Sequence, residues 1–95
     1  MPTRQTADTE VLMSRVRLEF TVEPFVDAQP GEHVLAAWRA VEGRGYELSR
    51  GPFSSEAIVS AGEAPSLIQE VLRAALWGGA THVSFQVDVL DGDDR

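Results

Sequence analysis

From Arg15 to Glu23 the chain reads RVRLEFTVE and alternates without a break. Val16, Leu18, Phe20 and Val22 fall on one side and Arg17, Glu19, Thr21 and Glu23 on the other, the period of two that marks a half-buried strand. Pro24 ends the run, because proline has no N–H to give to a ladder. After a loop carrying Pro30 and Gly31 the period changes. Val34, Ala37, Trp38 and Val41 stand at i, i+3, i+4 and i+7, which predicts a helix over 32–42 with one apolar stripe, stopped by Gly43 and Gly45. Tyr46 to Ser49 alternates briefly, Gly51 and Pro52 break the chain, and Glu56 to Ser60 resumes with Ile58 and Val59, so a second and a third strand are expected on a hairpin-like connection. A second helical stripe follows in Leu67, Ile68, Val71, Leu72, Ala75 and Leu76. Pro65 suits its first turn, Ser66 and Gln69 have the spacing of a capping box, and Gly78 and Gly79 end it. From His82 to Leu90 the period returns to two, with Val83, Phe85, Val87 and Val89 against Ser84, Gln86 and Asp88.

The order β-α-β-β-α-β predicts an α+β fold of the ferredoxin-like βαββαβ kind, a four-stranded antiparallel sheet with both helices on one face. In that arrangement the first strand is central and lies beside the last. Their polar sides then form one surface, Glu19, Thr21 and Glu23 next to Ser84, Gln86 and Asp88. Two readings of this surface stand side by side: a face that is solvated or packed on another copy of the chain, and a pocket whose carboxylates favour a cation or an amino-pyrimidine-like donor.

At 95 residues the chain holds a single core. The polar stretch 1–12 is expected to be a disordered leader, 13–90 one domain and 91–95 an acidic tail. A formal charge of -7 would repel a phosphate backbone, and all the basic side chains are arginines, with no lysine, so nucleic acid is an unsuitable partner. The absence of cysteine removes disulfides, thiolate nucleophiles and cysteine-based metal sites. No apolar run approaches a membrane span and no secretion signal is readable, so the expectation is a cytoplasmic protein without a membrane partner.

Chemistry on this scaffold is narrowed by what its exposed positions lack. RNA-recognition modules of the same fold stack bases on aromatic residues of the central strands, whereas the positions here are acidic and polar. Copper-chaperone chemistry needs a cysteine pair. An acylphosphatase-like site needs an arginine in the first loop, and PFVDAQPGEH has none. His33, His82, Asp27 and Glu32 are the available metal ligands, but their spacing pairs none of them, and no metal site is expected. Neither histidine has a nucleophile motif beside it, so no catalytic residue is assigned and the chain reads as a non-enzyme. Trp38 belongs to a core stripe, though its ring also suits stacking on a flat ligand, and Trp77 caps the core or meets an interface. In GPFSSE, Phe53, Ser54, Ser55 and Glu56 combine an aromatic ring, two hydroxyls and a carboxylate at a turn. That grouping could bind a small heteroaromatic ligand, and it is also ordinary turn chemistry.

The succession LEFTVEPF, a helix ending in glycine, YELSRGPFSSEAIVSAGE and a helix ending in GGATHVSFQVDV resembles the thiamine-binding YkoF-like family of small ferredoxin-like proteins. The resemblance spans nearly all of 15–89 and rests chiefly on the strand ending in Glu23-Pro24-Phe25 and on the Gly51-Pro52-Phe53 turn. Along the third strand Ser54-Ser55 and Ser60-Ala61-Gly62-Glu63 stand where many relatives carry a Gly-Thr and a Glu-Gly pair. The resemblance implies a non-enzymatic binder of thiamine or its hydroxymethylpyrimidine part, acting as carrier, buffer or sensor and assembled as dimers or tetramers. It needs no cofactor; thiamine would be its ligand. Phe53 would wall the ligand, Ser54 and Ser55 would hydrogen-bond it, Glu19 or Glu56 would offset its charge, and Thr21 lies beside them. The alternative expectation is an oligomeric regulatory or interaction module without a small ligand, built on the polar sheet face.

Overall fold

The computed structural model describes residues 14–25 and 29–90; the expected leader, Asp27 and the acidic tail lie outside them. Its elements are β1 (Arg15–Glu23), α1 (Glu32–Glu42), β2 (Ser49–Arg50), β3 (Ser55–Ser60), α2 (Ala64–Trp77) and β4 (His82–Val89). All neighbouring strands are antiparallel, in the order β2-β3-β1-β4. This is the ferredoxin-like α+β fold; β1 and β3 are the two inner strands, and β1 is paired along most of its length with both β3 and β4.

The alternation of β1 decides where the core lies. Val16, Leu18, Phe20 and Val22 are buried, and they meet Ala57 and Val59 of β3, Ala37, Ala40 and Val41 of α1, and Ala64, Leu67, Val71 and Ala75 of α2. Burying a side chain such as Leu18, Leu67 or Val41 stabilises by roughly 1.5–3 kcal/mol, and the alanines between the helices let their backbones come close. Gly78 marks the closest approach. A Cβ there would stand 2.6 Å from His33 Cα, so the end of α2 is seated directly on the start of α1.

Helix and strand ends differ from the sequence expectation in three places. α2 begins at Ala64 rather than after Ser66, its N-cap Glu63 makes no side-chain capping bond, and Ser66 inside the first turn donates its hydroxyl to the Glu63 carbonyl at 3.1 Å. The capping box of Ser66 and Gln69 therefore does not form. Arg44, just beyond α1, holds this turn instead, donating to Ser66 Oγ and to Glu70, each at 2.8 Å. The second strand is Ser49–Arg50, not 46–49, because Tyr46 and Leu48 turn inward against the core edge and the Tyr46 hydroxyl donates to Glu63. β3 starts one residue early, at Ser55. α1 ends at Glu42 on Gly43, and Gly45 takes a φ of 89°.

Candidate ligand cavity

The C-terminal half of β1, the first turns of α1 and the turn between β2 and β3 leave a space of about 410 Å3 on the helix side of the sheet. Its floor is Phe20 and Val22, one wall is Val34 and Trp38, the other is Gly51 to Ser55, and Phe25, Gln29 and Pro30 complete the rim. Such a volume lies in the range of small-molecule sites, roughly 300–1,000 Å3.

Strand register explains the polar groups. Ser55 stands directly opposite Phe20, so its side chain points to the helix side, where it is 6% exposed. There it accepts a hydrogen bond from the Trp38 indole N–H at 2.8 Å, which satisfies the indole and fixes the ring as a wall. The Ser55 hydroxyl proton is left to donate elsewhere. On Trp38 also rests the guanidinium of Arg50, 4.4 Å from the ring centroid and tied to Glu42 at 2.7 Å. Phe25 and Phe53 meet edge to face across the rim, 5.2 Å between centroids, and both are largely exposed. His33 is buried and its Nε2 bonds the Pro24 carbonyl at 2.5 Å, holding the chain where it leaves β1 for Phe25 through a cis Glu23–Pro24 peptide.

The residues singled out in the sequence divide between the two faces of the sheet. Phe53, Ser54 and Ser55 are brought together at the cavity. Glu19, Thr21 and Glu56 lie on the opposite face, where Glu19 stands across from Glu56 on one side and Gln86 on the other, and Thr21 across from Ser84. One bond links the two groups: the Ser54 hydroxyl donates to Glu19 Oε2 at 3.1 Å. No charged side chain lines the cavity among the described residues, and the cation on the Trp38 ring is the charge seen in contact with its wall. Gln29, Val34 and Phe25 were not singled out by sequence reasoning; the Glu-Pro-Phe ending of β1 was the available signal for Phe25.

The other candidates are dispersed. Glu32 pairs with Arg39 at 2.5 Å, His33 bonds a backbone carbonyl, and His82 lies 3.9 Å from Glu23. Among the described residues no three His, Cys, Asp or Glu side chains are placed to hold a metal ion. Trp77 is 85% exposed and neither caps the core nor touches the cavity. No helix among the described residues is long and apolar enough to cross a membrane.

No protein-family model matches the chain, and no curated protein matches it in sequence. Solved structures do share its shape. A protein from Thermotoga maritima assigned provisionally to thiamine biosynthesis or salvage superposes with a TM-score of 0.65 at 19% identity, over 82% of this chain and 86% of that one. A domain of unknown function, DUF77, from Bacillus cereus gives 0.60 at 18% identity, over 83% and 78%. A hypothetical protein from Methanocaldococcus jannascii gives 0.64 at 14% identity, over 87% and 86%. At these identities the likeness establishes the fold.

Proposed function

We infer that this chain is a small-molecule binding protein whose cavity takes the hydroxymethylpyrimidine part of thiamine, free or within thiamine itself. The observation that carries the reading is the Trp38–Ser55 pair. It places a flat aromatic wall and a hydroxyl with one free proton side by side, and an aminopyrimidine offers a flat ring and a ring nitrogen that accepts a hydrogen bond. Phe53 and Phe25 cover the ring from the rim, and Gln29 supplies an amide at the rim for the exocyclic amino or hydroxymethyl group. The family resemblance and the thiamine assignment of the Thermotoga maritima protein favour the same ligand class.

The carboxylates take a different role from the one expected. Glu19 reaches the site through Ser54 alone and acts as a positioning residue; Glu56 and Thr21 have no part in the cavity. Among the described residues the lining carries no charge, which, with Arg50 behind Trp38, suits the neutral pyrimidine better than the thiazolium cation, which would sit outside the mouth. The two serines have an indole N–H and a carboxylate on the far face as partners, an arrangement that binds and orients without supplying a base to the cavity, and a binder rather than an enzyme is the reading it favours.

Titration calorimetry of ligand-stripped protein with hydroxymethylpyrimidine, thiamine and thiamine phosphates tests this. The expected order is pyrimidine at least as tight as thiamine and both tighter than the phosphates. Absence of saturable heat for all of them at millimolar concentration removes the proposal.

A further inference from the structure

The cavity extends along β1, and its two ends differ in chemistry. β1 and β2 both run antiparallel to β3, which lies between them, so α1, which connects them, returns along β1 in the opposite sense. Moving outward from Phe20 to Val22 on the sheet therefore matches moving back from Trp38 to Val34 on the helix. Two strand residues span roughly 6.8 Å and four helical residues roughly 6 Å, so the lining falls into two layers of matched height. The inner layer is Phe20, Trp38 and Ser55, fixed by the indole-to-hydroxyl bond of 2.8 Å. The outer layer is Val22, Val34 and Phe25, faced by Pro52 and Phe53. Its polar neighbours are Gln29 at the rim and Ser54, whose hydroxyl donates to Glu19 at 3.1 Å.

A hydroxymethylpyrimidine held at Ser55, with its hydroxymethyl arm toward Gln29, fills the inner layer and sends a single arm into the outer one. If each of its about ten non-hydrogen atoms claimed the roughly 30 Å3 of a liquid water, about a quarter of the 410 Å3 would still be free, and bonded atoms claim less. The remaining space is apolar and aromatic. Among the described residues no charged side chain lines it, and the charge in contact with its wall is the Arg50 guanidinium, 4.4 Å from the Trp38 centroid and paired with Glu42. A cation moved into the outer layer loses water and meets no anion there. An uncharged ring gains by burying its own apolar surface.

We propose that the outer layer is a second subsite, and that the ligand class of this cavity is an aminopyrimidine carrying an uncharged ring or apolar group on its exocyclic methylene carbon. The proposal rests on the pyrimidine reading and adds to it a criterion of size and charge. Of two such ligands alike in shape, the neutral one is held with both rings inside and the cationic one by its pyrimidine alone. Phe25 and Phe53, 5.2 Å apart and edge to face, present aromatic surface to the second ring, which displaces water from the mouth as it enters.

Three compounds separate these effects: hydroxymethylpyrimidine, the same pyrimidine with benzyl in place of hydroxymethyl, and thiamine, whose thiazolium the phenyl ring imitates in shape without its charge. Calorimetric titration of the full, ligand-stripped chain is expected to show the benzyl compound binding about tenfold tighter than either of the others. Phe25→Ala should cost the benzyl compound about fivefold more than it costs hydroxymethylpyrimidine, and Arg50→Gln should narrow the gap between the benzyl compound and thiamine. Saturable binding of hydroxymethylpyrimidine with a benzyl compound no tighter overturns the second subsite and leaves the pyrimidine reading standing. Thiamine as tight as the benzyl compound overturns the proposal through its charge criterion. Absence of heat for all three removes the pyrimidine reading itself, and the second subsite with it.

Discussion

Ser55→Ala is the substitution in which fold and site are most tightly joined. Ser55 is 6% exposed and accepts the indole N–H of Trp38 at 2.8 Å. Its removal forfeits a neutral hydrogen bond, a net loss of about 1 kcal/mol, and leaves the indole donor unpaired, which costs up to about 1–3 kcal/mol where water cannot reach. Trp38 is half-buried, so water relieves part of that, and a total of about 1–2 kcal/mol is expected. For a domain of this size each kcal/mol lowers Tm by roughly 4–8 °C. Thermal and urea unfolding followed by circular dichroism read the loss directly. A cycle with Trp38→Phe isolates the pair, with an expected coupling of about 1 kcal/mol. The same change should weaken hydroxymethylpyrimidine binding by about tenfold, close to 1.4 kcal/mol, through the lost donor. A Tm within about a degree of wild type, or additive single effects, would refute the account of how the cavity wall is held.

Other substitutions separate packing from binding. Phe53→Ala removes a 65% exposed ring and should leave stability within about 0.5 kcal/mol while lowering ligand affinity severalfold in calorimetry. Glu19→Gln keeps an acceptor for the Ser54 hydroxyl and should change affinity little, whereas Glu19→Leu frees Ser54 and should weaken it; equal effects would show that the charge, not the positioning, matters. Gly78→Ala drives a Cβ to 2.6 Å from the His33 backbone and should destabilise by about 1–3 kcal/mol in urea unfolding. Leu18→Ala, at a fully buried central position, should cost about 2–5 kcal/mol, measurable by the same transition.

Periodicity alone carried most of the fold. The strict alternation of 15–23 and the helical stripe of 32–42 reappear with the same bounds in β1 and α1, because both patterns are long and end at proline or glycine. The short 46–49 segment was misplaced because Tyr46 and Leu48 are apolar for a tertiary reason, contact with the core edge and with Glu63, and not for a strand period. At the site, Phe53, Ser54 and Ser55 were legible as turn chemistry with an aromatic. Glu19 and Glu56 were grouped with them, yet they sit behind the sheet. Parity within β1 already assigned Glu19 to the polar side, but the side facing Ser55 depends on its pairing with Phe20, and interstrand register is not written in either strand by itself. Trp38 read as core because its stripe position is correct; that its outer edge borders a cavity depends on the loop at 29–31 and the turn at 51–54 standing apart from it.

The most direct test is calorimetric titration of hydroxymethylpyrimidine into ligand-stripped Trp77→Phe protein, with the fluorescence of Trp38 recorded in parallel. The account predicts saturable heat, a matching change in Trp38 emission, and loss of both in Ser55→Ala. Heat and emission that stay flat to millimolar ligand would contradict it and leave the cavity without the occupant assigned to it.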